Sequence, residues 1–335
     1  MSTDTAVRPR PTLTHRPAGR RRALMILSKY GTLFAMALLV LIFSVAAPNA
    51  VFLSRDNLLN IVNQSTLTAI IAAGLTIVLV VGEFDMSIGY TASLAGVLVT
   101  GLIANQGVSL VLAILLTIAA AGTVGTVNGL LVTKARVNAV VATLGVGTVV
   151  VGLSFGYTAG TPILQVPKEF TNLTLGHFLG LSNPIWYMAI VLTLLWVILN
   201  RTPLGQRIQA VGANANAARL AGIRTDRAKI SAFVITGLCA GLTGILLASL
   251  LGSGTVSAAD GYLLDAFAAV FLGSATLRDG EFHIVGTLIG VLLVNVGFNG
   301  LSLLGTPVFY QYLFKGGILV AAVALSTIAR KYARA

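Results

Sequence analysis

The strongest constraint in this sequence is the length of its uncharged stretches. Residues 30–54, 57–82, 137–167, 183–199, 230–252, 283–304 and 309–328 are each predominantly apolar, and only the last carries a charge, Lys315. Residues 86–133 are too long for one crossing, and Asn105-Gln106-Gly107 divides them in two. A shorter stretch, 264–275, is bracketed by acids. A hydrocarbon layer takes about 20 apolar residues per helix. Inside that layer the backbone must satisfy its own polar groups, which for apolar runs of this length means α-helices. The pattern predicts an all-α polytopic membrane protein of about ten transmembrane helices. Short or broken helices are expected near 82–89 and 264–283.

Composition excludes a soluble alternative. Hydrophobic residues make up 56% of the 335 and charged residues only 10%, against about a quarter in ordinary soluble domains. A net charge of +12 would in a soluble chain point to nucleic acid. Here the cations lie in tails and short loops without interleaved aromatics, so no nucleic-acid partner is expected and membrane lipid is. The single cysteine, Cys239, lies in an apolar run and rules out an intrachain disulfide.

The cations also set orientation. Seven lie in the tail through Lys29, Lys134 and Arg136 add two, the 201–229 loop adds six, Arg278 one, and Arg330, Lys331 and Arg334 three. With ten spans these 19 share one side, leaving Arg55, Lys168 and Lys315 elsewhere. The positive-inside rule then puts both termini in the cytoplasm. The expected organisation is a basic, disordered tail (1–29), one membrane domain (30–328) with a 200–229 inner loop, and a short C-terminal tail (329–335). The first apolar run exceeds a signal-peptide core and is followed by further spans, so it reads as an uncleaved anchor. The location that follows is a bacterial inner membrane.

No catalytic constellation is present. His15, His177 and His283 are scattered without ligand spacing, so neither an enzyme nor a metal site is expected. The chain has no G-x-x-x-x-G-K-[ST] phosphate loop, so any ATP and magnesium would sit on another subunit. Asn63, Gln64, Thr66, Asn128, Thr143, Asn295 and Asn299 lie inside spans. Such neutral groups suit a hydroxyl-rich solute path, and equally suit helix-to-helix hydrogen bonds.

Three segments break the apolar pattern. Gly82-Glu83-Phe84-Asp85-Met86-Ser87-Ile88-Gly89 places two carboxylates at a membrane boundary. Irregular backbone of this kind lines cavities or moving joints in transporters, and Asp85 or Ser87 is also a candidate N-cap for the next span. The second segment is the 200–229 loop, where 214–221 reads as a short helix capped by Asn214 and stopped by Gly222. Eight helical residues span only about 12 Å and are unstable alone in water, so this helix is expected to dock against something; the alternative is a solvated basic loop that serves topology only. The third runs from Asp260 to Phe282 and reads as a discontinuous helix. Its Gly280-Glu281-Phe282-His283 echoes Gly82-Glu83-Phe84-Asp85.

Together these segments resemble the ribose/xylose/galactose-type ABC sugar permeases, within the wider group that includes branched-chain amino acid permeases. Residues 82–89 match that family's Gly-Gly-Ile-Asp-Leu-Ser-Val-Gly stretch, departing at Glu83 where many members carry glycine. Thr202, Gly205, Ala210, Gly212, Asn214, Ala217, Ala218, Arg219, Gly222 and Ile223 fall in step with its long inner loop. Residues 264–273, 286–290, 299–301, Lys315 and Gly316 look like its C-terminal third. The resemblance implies a ten-span subunit paired with a second permease copy or a paralogue. It also implies a separate ATPase inside and a periplasmic or lipoprotein sugar-binding protein outside. The 214–221 helix would then be the coupling helix, with Gly205, Gly212, Asn214, Asn216, Ala218, Arg219 and Gly222 shaping the ATPase contact. Gly82, Glu83, Asp85, Ser87 and Gly89 would form a gating turn, and the solute would be a small neutral sugar. The alternative is a stand-alone secondary carrier or channel for a small polar solute.

Overall fold

A computed structural model describes residues 18–276 and 280–333; for 18–29, 48–50, 322 and 325–333 it gives the backbone path only. Thirteen α-helices are present among the described residues. The first two are α1 (Ala18–Ala46) and α2 (Arg55–Val80), joined by a 3₁₀ turn at Pro48–Leu53. Next come α3 (Ile88–Ala104), α4 (Leu110–Thr133), α5 (Ala139–Thr158), a short outer helix α6 (Lys168–Leu175) and α7 (Asn183–Arg201). The loop helices α8 (Pro203–Ala213) and α9 (Ala215–Leu220) follow, then α10 (Thr225–Leu251), α11 (Tyr262–Ser274), α12 (Ile284–Leu303) and α13 (Val308–Ala333). A two-stranded hairpin, β1 (His177–Phe178) and β2 (Leu181–Ser182), precedes α7.

Six helices are long and apolar enough to cross a membrane, and α3 with the apolar parts of α1, α11 and α13 completes ten. Helix α11, with 13 residues, is only about 20 Å long. It is short of the roughly 30 Å hydrocarbon core.

The tail was expected to be disordered through residue 29, yet α1 begins at Ala18, because Arg20 to Leu27 contains mostly strong helix formers. The C-terminal tail is likewise helical as far as Ala333. The expected disorder of 1–17 and the cations Arg278 and Arg334 lie outside the described residues.

Helices α2 and α10 form the centre and run antiparallel. Glu83 beyond the end of α2 meets Lys229 at the start of α10, and Thr236 donates to the Gly74 carbonyl farther along. Around this pair the chain repeats itself. Helix α10 packs on α3 and α4, and α2 packs on α11 and α12 in the same way. Helix α3 contacts α5 as α11 contacts α13. Segments α2–α5 and α10–α13 therefore form two similar four-helix units of opposite direction. Backbones touch at glycines: between the units a Cβ at Gly125 or Gly129 would enter α10, and within the second unit one at Gly290 would enter the Ala269 carbonyl of α11. In lipid, where no hydrophobic drive pulls helices together, such close approach supplies the packing energy. Gly152 and Gly156 differ, having open space beside them.

Candidate functional site

At the end of α2 the chain turns at Gly82, whose φ of +90° suits glycine. The Gly82 and Glu83 N–H groups close the helix by donating to the Leu79 and Val78 carbonyls. The backbone then runs irregularly to α3 and is held at Asp85, Met86 and Ser87. Asp85, buried, accepts from both the backbone N–H and the hydroxyl of Ser87, at 2.9 and 2.6 Å. Asn128 of α4 donates to the Ser87 hydroxyl at 2.8 Å, and the Met86 N–H donates to Thr143 of α5 at 2.9 Å. Ser87 occupies the N-cap position of α3, but its side chain makes no capping bond. The capping expectation for Asp85 and Ser87 is therefore corrected: the carboxylate folds back to close the turn, so it is not free to serve the helix. A Cβ at Gly89 would press on Ala259 and Asp260, which keeps this position small.

The 200–229 loop contains two helices. Helix α9 has Asn214 as its N-cap, with its side chain accepting from the Asn216 and Ala217 N–H groups at 3.0 Å each. Gly222, at φ +80°, ends it. Ala218 is buried against the main core, while Asn216, Arg219 and Leu220 point outward, Leu220 being 90% exposed. Helix α8 was not anticipated. Its signal was present in Thr202-Pro203, an N-cap followed by proline at N1, and in Leu204, Ile208 and Val211 at helical spacing. The Thr202 hydroxyl accepts from the Gly205 N–H at 3.2 Å.

The loop and the turn, more than 100 residues apart in sequence, touch. A Cβ on Gly212 of α8 would collide with the Val80 carbonyl at the end of α2, and a Cβ on Gly82 would reach Gly212. Gly205 is equally tight against the Ile198 and Leu199 carbonyls of α7. Lys229, one turn into α10, pairs with Glu83, and both side chains are largely buried. Neighbouring Asp226 pairs with Lys134 at 2.8 Å, tying the α4–α5 connection to the same end of the bundle. Lys229 was missed from the sequence because its partner lies 146 positions away.

The echo between the two Gly-Glu-Phe turns is physical. Gly280 adopts φ +93°, close to Gly82. Phe84 stacks on Phe267, Phe267 on Phe271, and Phe271 meets Phe282 edge-on, so an aromatic series through α11 joins one turn to the other. Nearby, Asp265 of α11 pairs with Lys315 of α13 at 2.6 Å, accounting for the charge inside the last span.

The polar span residues separate into two groups. Asn128 and Thr143 are fully buried and pin the turn. Asn299 exchanges two amide hydrogen bonds with Asn57, and Asn295 donates to its own helix. Thr66 is likewise buried and donates to the Asn63 carbonyl. All five make hydrogen bonds within the protein. Asn63 and Gln64 are exposed on the first half of α2, beside Asn60, to which Gln64 donates. Asn63 accepts from Ser182 of β2. Among the described residues no cluster of three or more His, Cys, Asp or Glu could hold a metal.

Residues 57–323 match the family described as "Branched-chain amino acid transport system / permease component". The ribose import permease protein of Bacillus subtilis is 40% identical over 90% of this chain and 93% of its own length. That of Escherichia coli K12 is 37% identical over 87% and 91%. The L-arabinose ABC transporter permease protein of Azospirillum brasilense is 35% identical over 98% and 96%. No solved structure matches the chain at a significant level. These relatives are transport permeases, not enzymes. Sequence, helical architecture and these similarities agree: the chain belongs to the branched-chain amino acid transport system / permease component family, in the group of ABC permeases.

Proposed function

We propose that this chain is the membrane-spanning permease of a binding-protein-dependent ABC importer for a small neutral sugar of pentose, hexose or polyol type. It works in a bacterial inner membrane with both termini in the cytoplasm. The 201–224 end of the bundle then faces the cytoplasm, and α9 presents Asn216, Arg219 and Leu220 to a separate ATPase subunit that holds the ATP and magnesium. The observation that carries this reading is the contact between loop and turn. Helix α8 bears on the end of α2 through Gly212, and Lys229 grips Glu83. A push on α9 is thereby delivered to the irregular joint between α2 and α3, where a rigid-body shift can open or close a path.

The ribose and arabinose permeases among the relatives and the exposed amides Asn63 and Gln64 support a sugar as the solute. Specificity then rests mainly with a periplasmic or lipoprotein binding protein. A second permease copy or a paralogue completes the translocation unit.

The test is uptake in proteoliposomes containing permease, ATPase and binding protein. Uptake should require ATP and the ATPase subunit, and Arg219→Ala or deletion of 214–221 should abolish it while insertion stays normal. Uptake by the permease alone would instead establish a stand-alone carrier.

A further inference from the structure

A cavity of about 640 Å³ opens between α8, the α9–α10 turn and the first two turns of α10. That volume lies within the range of small-ligand sites, about 300–1,000 Å³. Its charged lining is entirely cationic: Arg207 of α8, Arg224 before α10 and Arg227 within it. None of these arginines forms an ion pair among the described residues, and the nearest carboxylate in sequence, Asp226, is taken by Lys134. The remaining wall is apolar or weakly polar, with Leu204, Ala228 and Ser231. From Arg224 to Ser231 the wall climbs about 10 Å along the helix, from the loop toward the run that begins at Ile230.

We infer that this cavity holds the phosphate head group of an anionic lipid from the cytoplasmic leaflet. Planar guanidinium groups bind phosphate oxygens in paired hydrogen bonds, and basic pockets beside membrane helices on the cytoplasmic side suit such lipids. The apolar part of the wall favours a lipid over a free anion, since it can receive the first part of the acyl region. The wall ends at Ser231, within the apolar run that begins at Ile230, and this favours a lipid over a segment of the ATPase, which stays in water. The inference uses the proposed orientation but not the solute or the ATP coupling. The bound lipid would brace α8 and α10, the two elements that grip the 80–83 corner.

Native mass spectrometry of the full-length permease, titrated with phosphatidylglycerol and separately with phosphatidylcholine, tests it. The wild type should retain phosphatidylglycerol in preference. The triple variant Arg207→Gln/Arg224→Gln/Arg227→Gln should bind it about 100-fold more weakly, at about fivefold per cation near an anionic surface. The triple lysine variant, which keeps the charge, should retain part of the affinity and serves as the folding control. Equal phosphatidylglycerol binding by the glutamine variant would overturn the inference. Displacement of the lipid by millimolar inorganic phosphate would show a free-anion site instead. Loss of ATPase capture with lipid binding intact would assign the arginines to the subunit contact. Failure of ATP-dependent uptake would count against the importer reading alone, since lipid retention is read without it.

Discussion

Glu83 and Lys229 form a largely buried ion pair between the corner after α2 and the first turns of α10, 146 positions apart in the chain. It joins the irregular joint of the bundle to the helix that leads out of the 200–229 loop. A charge-assisted hydrogen bond of this kind contributes about 1.5–3 kcal/mol.

Removing one partner should therefore weaken both the fold and the coupling. Glu83→Gln or Lys229→Met is expected to lower the thermal midpoint of the detergent-purified protein and to cut ATP-dependent uptake several-fold. The exchange Glu83→Lys/Lys229→Glu should recover part of both. Wild-type uptake in Glu83→Gly would show that the pair plays no part in transport.

Gly212 should tolerate no side chain, because a Cβ there runs into the Val80 carbonyl, which is backbone and cannot swing away. Gly212→Ala is expected to destabilise by about 1–3 kcal/mol and to reduce uptake. Gly316→Ala, where the space is open, should leave the melting temperature unchanged. Paired thermal melts of the two variants check the contrast.

Asn128 and Thr143 should behave as joints. Asn128→Leu removes the donor to Ser87, and Thr143→Val leaves the Met86 N–H without its acceptor. Each should cost about 1–3 kcal/mol. Uptake rate should fall while the preference among sugars stays the same. Competition assays with several sugars separate this outcome from that of a solute-contacting residue.

Lys315 and Asp265 pair with only 17% and 16% of their side chains exposed. Lys315→Met leaves a carboxylate alone in a poorly solvated position, at a cost of about 3–5 kcal/mol, and should sharply reduce the amount of folded protein. Neutralising both, in Asp265→Asn/Lys315→Met, should restore much of the yield. Size-exclusion profiles of the membrane extracts measure both.

The medium, the long apolar helices and the ends of α9 were legible along the chain. Runs of about 20 uncharged residues can exist only as helices in lipid, and Asn214 and Gly222 mark the ends of α9 through local hydrogen bonding and backbone conformation. These features depend on neighbours along the chain. What the tertiary structure decided is what meets what. Glu83 looked like an odd substitution until Lys229 lay opposite it. Asn128 and Thr143 suited a solute path and a helix-to-helix hydrogen bond alike, and only the fold set them against the 85–87 turn. The similarity of α2–α5 to α10–α13 is nearly absent from the residues, because close backbone packing in lipid asks only for small side chains at the crossings and leaves the rest free to vary. The uncharged runs that most constrain this chain thus define its helices, whereas the few charges and amides between and within them acquire their roles only when distant segments pack together.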